Sequence, residues 1–157
     1  MNSDQSEMAT LLVQLHGELA SMFDLLEEES NSLRSRDVDN IQAVASRKQG
    51  LADSINALTA KQKSLLQAAG FSADAAGMAL LLKQTADEAD SQVWQDLLRM
   101  TAECKHRNEV NGAYLALLER YVESALDIIA GSPSLSETYG PKGSKSRGVV
   151  SRRSFTV

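Results

Sequence analysis

The sequence contains a single cysteine, Cys104, in 157 residues. An internal disulfide is therefore excluded, which fits a reducing compartment. Proline is nearly absent: Pro133 and Pro141 are the two present, so no proline breaks a helix before position 133. Aromatic residues amount to 4%, and the alternating β-branched and aromatic pattern that favours strands is missing. No apolar run approaches the ~18 residues a membrane-spanning helix needs. The opening Met1-Asn2-Ser3-Asp4-Gln5-Ser6-Glu7 is polar and acidic, without the basic stretch and apolar run of a secretory signal. The expected location is the cytoplasm, with no stable membrane insertion.

What is abundant is Ala, Leu, Gln, Glu, Lys and Ser, a mixture that favours helix because Ala and straight-chain residues lose little entropy there. The net charge of −5 is unevenly spread. Residues 132–157 carry Lys142, Lys145, Arg147, Arg152 and Arg153 against Glu137, a surplus of +4, which leaves −9 on residues 1–131. An acidic body argues against tracking nucleic acid, where phosphate contacts need a basic face.

Apolar spacing divides the chain into four helical segments. Over about 5–34, Met8, Leu12, Leu15, Leu19, Met22 and Leu26 recur at 4-3-4-3-4, and Leu33 resumes the series with Glu29 between. This is a heptad seam that needs a partner helix. Asp37 is the expected N-cap of a second segment, about 38–69, with Ile41, Val44, Leu51, Ile55, Leu58 and Leu65 in the same rhythm and Lys48 and Gln62 in its gaps. Gly70 closes it as a C′ residue. Two helices of matched length joined by a short connection predict an antiparallel hairpin. A short third helix is expected after Phe71, with Ser72 as its cap, Asp74 in its first turn and Leu80, Leu81 and Leu82 laid on the hairpin. The fourth, about 91–130, has the seam Val93, Leu97, Met100, Cys104, Arg107, Asn111, Tyr114, Leu118, Tyr121, Ala125 and Ile128. Its middle is polar, and Gly112 predicts a bend or thin spot there, since glycine costs about 1 kcal/mol in a helix. Beyond Gly112 the apolar residues exceed one stripe, which marks burial on several sides or an unfilled partner site.

The reading is an all-α fold: an antiparallel helical hairpin, a short helix and a long C-terminal helix, forming a bundle domain over 1–131. Residues 132–157, rich in Gly, Ser, Pro and basic residues, form a flexible basic tail. That tail still holds Tyr139, Val149, Val150 and Phe155, enough apolar groups to fold onto a partner.

No constellation for catalysis or for holding a metal or cofactor emerges. His16 and His106 lie on separate segments without ligand spacing. Cys104 occupies a seam position and reads as a small core hydrophobe. Glu27-Glu28-Glu29 reads as a solvated face, because a dimetal bundle site would need Glu-x-x-His pairs facing inward. Trp94 reads as a packing anchor.

Three stretches carry a family likeness: Arg36-Asp37-Val38-Asp39-Asn40-Ile41 continuing to Lys48-Gln49-Gly50-Leu51; Cys104-Lys105-His106-Arg107-Asn108-Glu109-Val110-Asn111-Gly112; and Thr138-Tyr139-Gly140-Pro141-Lys142-Gly143. In this order they resemble the FlgN family of flagellar type III export chaperones. The Asn108-x-x-Asn111-Gly112 element, followed by Thr-Tyr-Gly with Tyr139 and Gly140, is the most specific part. The resemblance implies a non-enzymatic chaperone. Its clients would be the hook–filament junction proteins, hook-associated proteins 1 and 3 (FlgK and FlgL). Client binding would fall in the C-terminal part, and Tyr139 would be the contact to the export apparatus.

Independently of the family, an exported structural protein with apolar terminal helices needs those stripes covered before assembly, and an amphipathic helix can cover them as a helix-in-groove contact. Leu118, Val122, Leu126 and Ile129 are expected at that partner surface, joined by Val149, Val150 and Phe155. The competing expectation for the helical four is packing on the hairpin. Competing functions are a self-assembling coiled-coil adaptor without an export client, a helical-bundle metal protein, and a tail that binds anionic surfaces. A homo-oligomer in the client-free state is left open.

Overall fold

The computed structural model describes residues 2–85 and 87–130, with side chains from Gln5 onward. These residues form four helices, α1 (Asn2–Ser35), α2 (Val38–Ala68), α3 (Ala75–Thr85) and α4 (Glu88–Ile129), so the all-α class expected above is the class observed. The chain divides into two units, Met1–Glu119 and Arg120–Val157. The tail expected at 132–157 lies outside the described residues.

In the first unit, α1 and α2 form an antiparallel hairpin. Cross-links move back along α1 as they move forward along α2: Glu28 and Glu29 meet Arg47 and Lys48, Glu18 meets Ser54 and Glu7 meets Lys61. The two-residue connection is tight because both helix ends are closed by local hydrogen bonds. Asp37 N–H donates to the Ser32 carbonyl at 3.0 Å and Arg36 N–H to the Leu33 carbonyl at 3.3 Å. This is a Schellman closure with Arg36 at its left-handed position, φ 57°. Asp37 then caps α2 by accepting from Asn40 N–H at 3.1 Å, and Asn40 Nδ2 donates to Ser32 Oγ at 2.6 Å. The far end of α2 closes in the same way, with Gly70 at φ 83° and Phe71 N–H on the Leu66 carbonyl at 2.9 Å.

The cap of α3 differs from expectation. Asp74, not Ser72, caps the helix, accepting from Gly77 N–H at 2.8 Å while Ser72 Oγ donates to the same carboxylate oxygen at 2.8 Å. These donors hold the Asp74 carboxyl below the usual carboxylate range. The capping contribution is thus present at neutral pH and is lost as acid protonates the group. Ser72 is instead the backbone that Gly77 must accommodate: a Cβ on Gly77 would collide with the Ser72 carbonyl. Asp87 opens α4, accepting from Ala89 and Asp90 N–H at 3.0 and 3.1 Å. α4 is helical without a break through Gly112, around which the helix surface is open.

The core is organised on α1. Met8, Leu11, Leu12, Leu15, Leu19 and Leu26 form one cluster with Leu66, Met78, Leu82, Leu97 and Cys104, contributed by the other three helices. Trp94 is half-buried against it, as the anchor reading anticipated. Burial pushes the Cys104 thiol pKa up, as befits a core hydrophobe. α4 lies beside α1 in parallel, shown by Cys104 Sγ at 3.8 Å from the Leu19 carbonyl and Asn111 Nδ2 at 2.9 Å from the Leu26 carbonyl, both at an offset of 85 residues. Between them the Arg107 guanidinium sits 4.1 Å over the Phe23 ring.

Two substitutions test this local account by urea denaturation. Arg36→Gly relieves the left-handed strain and should raise stability by about 1 kcal/mol. Gly77→Ala should lower it by about 1–3 kcal/mol through overpacking.

Candidate functional site

Two features of the structure invite a functional reading, a buried polar cluster and an exposed apolar one. The first forms where α1, α2 and α4 meet. Glu29 fills a seam position of α1 and is 8% exposed. It is therefore not part of a solvated face, as the acidic run suggested; of the three, Glu27 is exposed and Glu28 half-buried. Lys48 Nζ donates to both Glu29 oxygens, at 2.8 and 3.0 Å, and to Asn108 Oδ1 at 2.8 Å. Asn111 Nδ2 donates to Glu29 Oε2 and to the Leu26 carbonyl, both at 2.9 Å. Each seam position that the apolar rhythm skipped here is answered by another: Glu29 by Lys48, and both by the asparagines of α4.

A charge in an apolar seam is tolerated when it is paired and hydrogen-bonded, and this cluster meets that condition. The oxygens, the amide and the ammonium are hydrogen-bonded to one another. Its chemistry is that of a clasp: only one register of the three helices lets all four groups meet. The nearby Arg47–Glu28 pair, at 2.9 Å, is exposed on its arginine side and adds little. The other polar seam residue, Gln62, behaves differently, since its buried Nε2 has no hydrogen-bond partner among the described residues.

The second feature is the C-terminal part of α4. In the first unit Tyr114, Leu115 and Leu117 are exposed and Leu118 is half-buried. In the second unit Val122 and Leu126 are each 59% exposed and Ile129 is 82% exposed, with Tyr121 and Ile128 also open. Leu118, Val122, Leu126 and Ile129 follow one another at 4-4-3, the spacing of one helix face. The last three are thus exposed side chains of the second unit.

A family model described as FlgN protein matches residues 1–147. The chain belongs to the FlgN family. This is a family of flagellar export chaperones. Comparison with curated proteins and with solved structures gave no match.

Two of the three stretches that resembled FlgN converge in space. Lys48 from one and Asn108 and Asn111 from the other are the clasp around Glu29, so in this FlgN chain those motif residues hold the bundle together. Gly112 takes no part in the clasp. Glu29 and Gln62 were legible in the sequence as seam interruptions, but their opposite fates were not. The third stretch, with Tyr139 and Gly140, lies outside the described residues, as do Val149, Val150 and Phe155. Among the described residues no cluster of three metal-ligating side chains occurs.

The clasp predicts unequal losses on urea denaturation. Lys48→Met strands Glu29 without its counter-charge and should cost about 3–5 kcal/mol. Asn111→Ala removes two hydrogen bonds and should cost about 1–3 kcal/mol. Gly112→Ala, at an open helical position, should instead add about 1 kcal/mol.

Proposed function

We propose that this FlgN-family chaperone binds a terminal amphipathic helix of a hook-associated protein of the FlgK or FlgL type in the cytosol and brings it to the type III export apparatus. The contact surface in this reading is the apolar face of α4 carried by Leu118, Val122, Leu126 and Ile129. The observation that carries it is the exposure of three of those four side chains on an ordered helix. A large apolar side chain left in water on one regular face is the usual sign of a partner surface. A client's helix laid along it would bury apolar area on both sides, and about 600 Å² gives roughly 15 kcal/mol before costs. Loss of rigid-body freedom and ordering of side chains take back most of that. What remains is a reversible contact, suited to a client that must be released for export, and release then needs no bond-breaking step in this chain. Tyr139 remains the proposed contact to the export apparatus.

The test is the double variant Val122→Gln, Leu126→Gln. Glutamine keeps helix propensity, and exposed positions change stability by only about 0.5 kcal/mol. Titration calorimetry with a FlgK- or FlgL-type client should show at least a tenfold loss of affinity, with far-ultraviolet circular dichroism unchanged. Undiminished affinity would remove the face from the proposal, and unfolding would mean that these side chains support the bundle. In sedimentation the free protein should run at its monomer mass of 17.0 kDa; growth of that mass with concentration would favour the self-assembling adaptor instead.

A further inference from the structure

We propose that when no client is bound, residues 149–155 of this same chain cover the exposed end of α4; the client's role in displacing them rests on the reading above, but the cover itself does not. The end of α4 presents Tyr121, Val122, Leu126, Ile128 and Ile129 to solvent within nine positions. The same stretch carries Glu123 and Asp127, four residues apart and therefore on one line of the helix. Neither forms an ion pair among the described residues. The last turn has no basic residue, so Asp127 adds its charge to the negative end of the helix dipole with nothing to balance it. A fitting occupant offers apolar side chains together with positive charge.

The sequence Val149-Val150-Ser151-Arg152-Arg153-Ser154-Phe155 offers both within seven residues. Val149, Val150 and Phe155 match the apolar face, and Arg152 and Arg153 match Glu123 and Asp127. A second copy of the chain fits less well, because its own α4 end would bring the same two acids to the contact. Reach is not limiting. The 20 residues from Ile129 to Val149 span up to roughly 65 Å when extended, whereas the helix from Tyr121 to Ile129 is about 12 Å long. Tethering at this length supplies an effective concentration on the order of 1 mM. A contact with an intrinsic affinity of only ~0.1 mM would then be about nine-tenths closed, and would weaken client binding about tenfold. The cover is strong enough to keep apolar side chains from water and weak enough to yield to a micromolar client.

Hydrogen exchange read by mass spectrometry on the full chain, without client, tests this. Two variants are compared with the parent, Val149→Ser with Val150→Ser and Phe155→Ser, and Arg152→Glu with Arg153→Glu; α1 peptides serve as the internal reference. Exchange in peptides covering 121–129 should speed up several-fold in both variants, at a rate independent of protein concentration. Equal exchange in parent and variants would overturn the proposal. So would protection that ignores the variants but falls on dilution, which would assign the cover to a second copy. No client enters this measurement, so its outcome is separate from that of the Val122→Gln, Leu126→Gln titration. In that titration the first tail variant should bind client about tenfold more tightly than the parent; weaker binding would place Val149, Val150 and Phe155 on the client instead.

Discussion

A carboxylate in an apolar helix seam must be neutralised and hydrogen-bonded or it forces the seam open. Glu29 is in that position, and the first unit is arranged so that α2 brings it an ammonium and α4 brings it an amide. The apolar contacts on either side would tolerate several registers, because leucines at heptad spacing pack nearly as well after a one-turn slip. The polar contacts would not. A slip of α2 takes Lys48 away from Glu29, and a slip of α4 takes Asn111 away from both Glu29 and the Leu26 carbonyl. The stabilisation from such a cluster is modest after desolvation; what it contributes is a penalty on every alternative alignment.

That alignment has a consequence at the other feature. Because α4 is held in parallel with α1 at a fixed offset, the number of α4 residues that α1 can cover is fixed too. Up to Asn111, α4 gives Leu97 and Cys104 to the core and Asn108 and Asn111 to the clasp. Tyr121, Val122, Leu126, Ile128 and Ile129 are large apolar side chains left exposed on the same helix. Burial and apolar exposure thus fall on different residues of a single helix.

Much of the fold was legible in the residues. The rhythm of Met8 to Leu26 marked α1's buried face, and Asp37 and Gly70 marked helix ends that the structure places where the capping chemistry puts them. The cap of α3 was misassigned to Ser72 because serine and aspartate two apart are both good caps, and only the collision awaiting a Cβ at Gly77 shows how the turn is folded. Leu11, Leu25 and Leu66 are buried although they fall outside the simple seam, since a helix packed by more than one neighbour buries more than one stripe. Gly112 does not break α4, because a single glycine lowers helix propensity without ending a helix.

Helix positions, helix ends and the surplus of apolar residues near residues 114–129 follow from the sequence alone, because a turn of helix is decided by residues three or four apart. Which groups face Glu29 depends on residues 19 and 82 positions away, and the fates of Gln62 and of the surplus side chains are likewise not local. Those contacts are set by the docking of whole helices, and the sequence pattern that makes a seam apolar is the same whichever neighbour fills it.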